Sequence, residues 1–584
     1  LAVGRNTLVL IRNDGGGHFH EATSEAGLDR VSPGQARGAA AADFDGDGDA
    51  DLLVGRNGAA PLFLRNDGGN LNPWLKIRLT GLHSNRSGVG TKVEVHAGFR
   101  SQRREVRLGG GYLSEEPSTL LFGLGDRNLV DFVRLIWPLG VLQSELEVSA
   151  GKVLEATELD RKGSSCPVLF AWDGRSFRFI TDFLGVGGLG FLERPGVYGQ
   201  PDPDEYVKIE AAQLKERDGY YLIQVIENLE EISYLDEAKL WVVDHPSEEV
   251  VFPNERFGGG GPPPFALFSS RRPILPVRAR DEQDRDVLSA VLKIDRTYPD
   301  RFPVLERLPG FAETHSLTLD FGDAVKGKGN LVLFLYGWID YGYSSTNLAA
   351  SQAGIEVEPP RLETVGPEGT WVTLVEDMGF PAGMPRMMTV DLRGHGPLSD
   401  GRLRITTNMR IYWDQIYLAE VEPDPTLKIT KLPAAYADLH ARGYPREHSP
   451  DGKQPLIYDY NLMDRSFPFR NMAGDYTRFG PVTELLQDAD DRFVILGRGE
   501  EVTLKFSARR LPALPRGWKR DFILYSNGYC KDMDPNTAYP DTVEPLPFHS
   551  MSAYPYPETE HYPDDPSHLE YIKRYNTRHV SGRP

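Results

Sequence analysis

The chain has very few cysteines: Cys166 and Cys530 are the only two among its 584 residues. Two cysteines are too few for the disulfide frameworks that hold small secreted domains together. They leave two alternatives open, one long-range disulfide or two buried thiols. The chain also has no run of 18 apolar residues, which predicts that it contains no transmembrane segment.

Positive charge is also scarce. The sequence has 65 Lys and Arg residues against 84 Asp and Glu residues, a net charge of −19 at pH 7. Nucleic-acid binding surfaces need clustered basic residues, so we expect no nucleic-acid partner. An acidic surface is compatible with divalent-cation binding and with solubility outside the cell.

The common catalytic motifs are missing. The sequence contains no His-Glu-x-x-His, no Cys-x-x-Cys and no Gly-x-Ser-x-Gly pattern. The stretch "GVGGLG" (185–190) matches the dinucleotide-binding pattern, but that fingerprint needs a helix to begin immediately. Pro195 and Gly196 follow instead, so we predict a loop. We predict that the protein is not an enzyme, and an unrecognised enzyme in the C-terminal region is the alternative.

Other polar side chains form pairs or triplets that match no known template. Two histidines on one strand could bind a metal, although a surface hairpin is favoured, and carboxylate pairs could serve a glycosidase. With 84 acidic residues, such pairs arise freely. These weak candidates are His18 with His20; His549, His561 and His568; Asp202 with Asp204; and Asp564 with Asp565.

The strongest signal is the acidic stretch "DFDGDGDAD" (43–51), which runs straight into an apolar strand. Each neighbouring pair of carboxylates about 4 Å apart costs roughly 4 kcal/mol at an effective dielectric of 20. Gly48 stands at loop position 6, as in an EF-hand, but Val54 occupies position 12 and no helix pattern follows. An all-oxygen donor set favours Ca²⁺ over transition metals. The predicted ligands, at positions 1, 3, 5, 7 and 9, are Asp43, Asp45, Asp47, Asp49 and Asp51.

The acidic loop belongs to a repeat. The segment "LAVGRNTLVLIRNDGGG" (1–17) matches "LLVGRNGAAPLFLRNDGGN" (52–70) in both its Gly-Arg-Asn and its Arg-Asn-Asp-Gly-Gly blocks. Repeats of this length are typical of propellers and solenoids, in which one unit cannot bury its own faces. The first copy begins where its acidic loop should have ended, so we expect earlier repeats ahead of residue 1.

These segments resemble the FG-GAP/VCBS repeats of integrin-type β-propellers. The resemblance implies that Asp43, Asp45, Asp47 and Asp51, with the carbonyl of Asp49, hold a structural Ca²⁺ between blade strands. The segments "NRSGVGTKVEVHAG" (85–98) and "VDFVRLIWPLG" (130–140) resemble the ASPIC/UnbV domain, which often follows such propellers, as in the cartilage acidic protein family. This likeness covers about 1–158 and implies an extracellular, calcium-binding, interaction-mediating protein.

The whole chain is predicted to be mostly β, because short segments alternate apolar and polar residues between Gly and Pro turns. We place an incomplete set of propeller repeats at 1–72 and the ASPIC/UnbV β-domain at 73–158. One or two jelly-roll-like β-sandwiches follow at 164–425, and a smaller β domain at 426–529. The Pro/Tyr/His-rich tail, 530–584, is extended because proline interrupts helix and sheet. We favour its packing on its own chain over docking to a partner.

The predicted function is that of a calcium-binding scaffold with protein partners, such as an accessory subunit of a surface assembly. We expect an extracellular, cell-surface or periplasmic location. The alternative is a carbohydrate-binding or carbohydrate-active protein. In that case Trp338, Trp371 and Trp413 would line a solvent-facing groove instead of a core.

Overall fold

The computed structural model describes residues 2–3, 7–82, 84–138, 141–159, 166–228, 230–258, 261, 263–398, 400–421, 427–465 and 471–581. The chain divides into two compact units, 1–161 and 162–584. Most residues of the linker suggested by "DRKGSSCP" (160–167) lie outside the described ranges. Strands dominate both units, which confirms the mostly β prediction. Among the described residues, no helix is long and apolar enough to cross a membrane.

The first unit contains a three-stranded repeat sheet and a second β region after it. The repeat sheet consists of β5 (Ala36–Ala42), β6 (Asp51–Arg56) and β7 (Leu62–Leu64), in that order. The described strands are β1 (Ala2–Val3), β2 (Leu8–Val9), β3 (Ile11–Gly15), β4 (His18–Glu21), β5 (Ala36–Ala42), β6 (Asp51–Arg56), β7 (Leu62–Leu64), β8 (Trp74–Thr80), β9 (Lys92–Ala97), β10 (Arg100–Glu105), β11 (Leu120–Gly123), β12 (Leu129–Ile136), β13 (Leu142–Ser149) and β14 (Lys152–Thr157).

The region after the repeat is held by alternating side chains. Its two sheets have the orders β10-β9-β12-β13 and β11-β8-β14. In β8, Leu75, Ile77 and Leu79 are buried while Arg78 and Thr80 are exposed, as the period of two requires. These leucines and isoleucine join one apolar core with residues from both sheets, including Trp137. The predicted strand pattern of this region is thereby confirmed.

The second unit is larger, and its described residues contain two α-helices, α1 (Ser344–Gln352) and α2 (Pro566–Tyr575). Its strands are β15 (Val168–Trp172), β16 (Phe177–Asp182), β17 (Leu192–Arg194), β18 (Val197–Tyr198), β19 (Asp204–Ile209), β20 (Glu216–Arg217), β21 (Tyr220–Ile226), β22 (Glu231–Pro246), β23 (Val250–Pro253), β24 (Leu267–Ser270), β25 (Arg278–Asp281), β26 (Phe311–Asp320), β27 (Leu331–Asp340), β28 (Arg361–Val365), β29 (Trp371–Val375), β30 (Arg386–Asp391), β31 (Arg402–Glu420), β32 (Lys428–Ala441), β33 (Tyr444–His448), β34 (Ile457–Asp464), β35 (Gly474–Tyr476), β36 (Gly480–Pro481), β37 (Val494–Leu496), β38 (Glu500–Ser507), β39 (Trp518–Asp532) and β40 (Arg578–Val580).

Two large sheets organise this unit. Among the described residues the first has eleven strands. Eight lie in the order β16-β15-β21-β38-β32-β22-β39-β19, and β20, β36 and β37 pair with three of these. The second has seven strands. Five lie in the order β25-β26-β31-β27-β30, β28 pairs with β31, and β29 pairs with β28. The second sheet lies in sequence between β22 and β32, neighbours in the first, so it is an insertion with its own apolar core.

The insertion corrects the predicted domain boundary at 425/426. Strands β32, β38 and β39, from the region predicted as a separate domain at 426–529, pair with strands of 168–246 in the first sheet. Residues from both regions share one apolar core. The prediction was wrong because it divided the chain by sequence order, and these pairings join strands that lie far apart in sequence.

The tail packs against the first sheet, as predicted. Val543, Tyr554, Tyr571 and Tyr575 are all buried, and the two tyrosines of α2 belong to the core of that sheet. Asp565 begins α2 as its N-cap, accepting a hydrogen bond from the Ser567 amide. Burying these aromatic rings removes the aggregation hazard that free rings would present.

The two cysteines meet in this unit. Cys166 and Cys530 are buried free thiols whose sulfur atoms lie within 4.8 Å of each other. The Cys530 thiol also donates to the Leu184 carbonyl at 3.2 Å. Of the two alternatives, the structure therefore shows the buried thiols. A disulfide would need only a short approach of the two sulfurs.

The "GVGGLG" stretch forms a short 3₁₀ turn, Gly185–Gly187, and no α-helix. It is a loop, as predicted, but it packs tightly against β39. A Cβ atom on Gly187 would lie 2.6 Å from the Gly528 carbonyl oxygen, so this glycine permits close contact of two backbones.

Candidate metal centre

The acidic loop connects two antiparallel strands of the repeat. Strand β5 ends at Ala42, β6 begins at Asp51, and these two residues are register partners. Gly46 and Gly48 adopt positive φ angles of 81° and 103°, which side chains rarely tolerate. The strand pairing therefore fixes both ends of the loop, and the glycines allow it to turn within eight residues.

Three of the predicted ligands converge on one point. Asp43, Asp45 and Asp47 each offer an oxygen atom within 4.8 Å of the others. Asp43 also accepts hydrogen bonds from the amides of Gly46 at 2.6 Å and Gly48 at 2.8 Å. The loop thus wraps around Asp43 and directs three carboxylates to a common centre.

Asp51 closes the loop. One of its oxygens accepts from the Phe44 amide at 2.9 Å, and the other accepts from the Asn66 amide at 2.9 Å. Both oxygens are therefore engaged by backbone amides, although each retains a second lone pair. The structure gives this residue a positioning role that the spacing did not predict.

Asp49 carries the clearest sign of a missing partner. Its side chain is only 3% exposed, and its Oδ2 accepts from the Gly69 amide at 2.9 Å. Its Oδ1 is buried without a hydrogen-bond partner among the described residues. Burial, together with the nearby Asp47, Asp51 and Asp45 charges, raises the pKa of this carboxyl despite the Gly69 hydrogen bond. A buried carboxylate oxygen of this kind fits a bound cation.

Lys76 is part of the site and sequence reasoning missed it. Its ammonium forms an ion pair with Asp43, and both side chains are largely buried. Burial alone would raise the pKa of Asp43, but hydrogen bonds from Lys76, Gly48 and Gly46 lower it. Lys76 neutralises one of the five charges of the cluster.

The repeated Arg-Asn-Asp-Gly-Gly block clamps the loop from outside. The amides of Asn66 and Gly69 bind Asp51 and Asp49, and the Asn70 side chain donates to the Asp47 carbonyl at 3.2 Å. The recurrence of this block at Arg12–Gly16 was the available signal that it has a structural task. The earlier Gly4–Asn6 block lies outside the described residues.

Gly48 has a second reason to be glycine. A Cβ atom there would lie 2.0 Å from the indole nitrogen of Trp74, a distance that no side chain permits. A Cβ atom on Gly46 would meet nothing within 4 Å. The indole of Trp74 therefore seals one side of the acidic loop.

The weaker candidates separate into different roles. His20 pairs with Asp14 on the exposed β3–β4 hairpin, as favoured. His568 contacts Asp565, and His549 contacts Asp491, so the tail histidines have different partners. Asp204 accepts from the Tyr525 hydroxyl and the Asn527 amide. Burial raises the pKa of Asp202 to about 6.

Comparison with known families agrees with these features. The family model for FG-GAP-like repeats matches residues 1–54, and the model for the ASPIC and UnbV family matches residues 81–163. No curated protein matches the chain. The chain therefore carries an FG-GAP-like repeat followed by an ASPIC/UnbV domain, and both matches lie within its first 163 residues.

Proposed function

We propose that the protein is an extracellular-type interaction protein that binds Ca²⁺ through the acidic loop 43–51. The single observation that carries the proposal is the loop itself. Three carboxylates converge there, and a fourth, Asp49, keeps a buried oxygen without a hydrogen-bond partner among the described residues. A hard divalent cation offsets the mutual repulsion of these groups.

Calcium suits this donor set better than the other common metals. The ligand atoms are oxygens of short, flexible side chains, and further loop carbonyls and water can complete six to eight ligands. Mg²⁺ prefers fewer protein ligands, and transition metals prefer His or Cys. With Ca²⁺ at about 1 mM and a Kd of about 10 μM, binding would stabilise the folded state by about 2.7 kcal/mol.

An exposed apolar face of the repeat supports a role in protein contact. Leu53 and Phe63 are register partners on β6 and β7, and both are largely exposed. Phe44, inside the acidic loop, is 78% exposed and lies 5.1 Å from the Phe63 ring. Contiguous exposed apolar patches mark interaction sites, and a cation bound by the loop would fix the position of Phe44 within this one.

The glycan alternative loses the row of tryptophans on which it depended. Trp338 and Trp413 are 9% and 4% exposed. Trp371 is half-buried beneath the guanidinium of Arg404, 4.4 Å from its ring centre. Side chains that pack in this way do not line a groove, so we propose contact with proteins and not with glycans.

Isothermal titration of the chelator-treated full chain with Ca²⁺ tests the proposal. We expect one binding event, lost when Asp45→Ala and Asp47→Ala remove two of the converging carboxylates. The matched control removes two exposed carboxylates of the same unit, Asp29→Ala and Asp126→Ala, and should retain binding. Absence of Ca²⁺ binding by the unaltered chain, or equal binding by both double variants, would contradict it.

A further inference from the structure

A second group of possible metal ligands lies in the second unit. It begins with a β-bulge in strand β22, which pairs with β39. The register shifts between Leu235 and Glu237, which leaves Asp236 as the extra residue. Bulges turn a side chain away from its regular direction and are frequent next to functional sites. Here the bulge directs a carboxylate toward the loop that precedes β37.

The Asp236 carboxylate is completely buried and only partly satisfied. Its side chain is 0% exposed. One oxygen, Oδ2, accepts from the Asp491 amide at 2.8 Å. The other, Oδ1, has no hydrogen-bond partner among the described residues. A carboxylate oxygen that is removed from water and left unpaired is costly unless another group binds it.

The tail places an imidazole beside this carboxylate. His549 Nδ1 lies 2.6 Å from Asp491 Oδ1 and 3.7 Å from Asp236 Oδ2. One ligand atom from each of the three residues lies within 4.8 Å of the other two. Ligand atoms about 2 Å from a common Zn²⁺ ion are separated by distances of this order.

The orientation of the His549 imidazole is set by a hydrogen bond at its other ring nitrogen. His549 Nε2 lies 2.8 Å from Asn527 Oδ1, and the amide nitrogen of Asn527 donates to Asp204 at 2.9 Å. The Asn527 oxygen therefore faces the ring and accepts the Nε2 proton. The 2.6 Å contact of Nδ1 with Asp491 is a hydrogen bond in which Nδ1 donates. A cation bound here would take the place of that proton, as in metal-bound histidines whose other ring nitrogen is held by a hydrogen bond.

The group is open to solvent on one side. The Asp491 and His549 side chains are 15% and 31% exposed, so a hydrated ion can reach them. Asp491 itself has a positive φ of 65°, a turn conformation that aspartate adopts more readily than most residues with a side chain. The Tyr562 hydroxyl holds its carbonyl. This turn presents the carboxylate to His549.

We propose that Asp236, Asp491 and His549 form a second divalent-cation site, of the nitrogen-and-oxygen type that Zn²⁺ occupies. Three protein ligands leave the fourth tetrahedral position of Zn²⁺ to water. The ion joins strand β22, the loop before β37 and the tail, because each supplies one ligand. This site is independent of the acidic loop 43–51 and of the function proposed for it.

Titration of the full chain with Zn²⁺, with Ca²⁺ present in excess to occupy oxygen-only sites, tests the proposal. We expect one Zn²⁺ to bind, with affinity at least roughly tenfold weaker in His549→Ala and in Asp491→Asn. Asp491→Asn keeps the size of the side chain and guards against a folding defect in the histidine variant. The control His561→Ala removes an exposed histidine of the same tail and should leave the affinity unchanged.

Cobalt absorption distinguishes this site from the other buried group of possible ligands, Cys166, Glu231 and Cys530. Co²⁺ bound by nitrogen and oxygen gives only weak visible bands, whereas thiolate ligands add intense near-ultraviolet absorption. We expect the weak bands alone, lost in His549→Ala. A thiolate band, no Zn²⁺ binding, or unchanged binding in both ligand variants would overturn the proposal.

Discussion

Lys531 is a buried cation at the end of β39, covered by later residues of the tail. Its ammonium donates to the Val543 carbonyl and to the Tyr554 hydroxyl, each at 3.0 Å. Burial lowers the pKa of Lys531 to about 7, against a smaller raising effect of the Glu544 charge. At neutral pH this lysine is therefore close to losing its proton in the folded chain.

The lowered pKa predicts how stability depends on pH. In the unfolded chain lysine keeps its proton up to about pH 10.4, whereas folded Lys531 releases it near pH 7. Between these values the unfolded state binds more protons, so the free energy of unfolding should rise with pH, by up to a few kcal/mol. Urea unfolding between pH 6 and pH 10 measures this rise.

The variant Lys531→Met should remove that rise and stabilise the protein at and below pH 7, because an apolar side chain has no charge to desolvate. Lys293→Met, at an exposed lysine, is the control and should keep the rise. Identical pH profiles for the unaltered protein and Lys531→Met would contradict the account.

The sequence predicted some residues of the metal loop and could not predict others. The five aspartates were visible because they alternate within nine residues. Lys76 and Asn66 were not, because they reach the loop from strand β8 and from the segment after β7, through contacts that no local pattern encodes. The different roles of Asp43, Asp49 and Asp51 likewise depend on which backbone amides surround each carboxylate.

At the scale of elements, helix α2 anchors the end of the tail. Tyr571 is buried in the core of the first sheet, and its hydroxyl donates to the Phe493 carbonyl at 2.7 Å. Leu569, on the same helix, is 55% exposed. The helix therefore has one face in the core and one in solvent.

Tyr571→Ala should destabilise the protein by about 3 kcal/mol or more, because it leaves a cavity and removes the buried hydroxyl that pairs with the Phe493 carbonyl and the Asn576 side chain. Leu569→Ala should change the free energy of unfolding by less than about 0.5 kcal/mol. Urea denaturation of both variants makes the comparison. Equal effects would mean that the tail does not contribute to the core.

Strands were predicted better than their partners. Alternation of apolar and polar residues predicted a mostly β chain correctly because a half-buried strand has a period of two. It could not show that β22 pairs with β39, since that contact joins residues almost three hundred positions apart. The insertion of the second sheet and the contact of Cys166 with Cys530 likewise join residues far apart in sequence.

At the scale of the whole molecule, Arg386 joins the two sheets of the second unit. It lies on β30 of the inserted sheet and pairs with Asp182 at 2.7 Å and with Glu205, both from the first sheet. All three side chains are almost fully buried. The neighbouring carboxylates raise the pKa of Arg386 against the effect of burial, so its charge is retained.

Arg386→Met should destabilise the protein by about 3–5 kcal/mol, because it leaves two buried carboxylates without their cation. Arg393→Met, which removes a half-exposed ion pair with Asp391, should cost at most about 1 kcal/mol. Chemical unfolding measures both. A small effect of Arg386→Met would show that the two sheets do not depend on this network.

The central claim is that Ca²⁺ binds the acidic loop and stabilises the repeat around it. Hydrogen exchange of the full chain, with Ca²⁺ and with chelator, tests it most directly because protection is measured peptide by peptide. The account predicts that chelation lowers protection in 36–64 and leaves 494–532 unchanged, and that Asp45→Ala with Asp47→Ala removes the calcium effect. Equal protection of 36–64 with and without Ca²⁺ would contradict the claim.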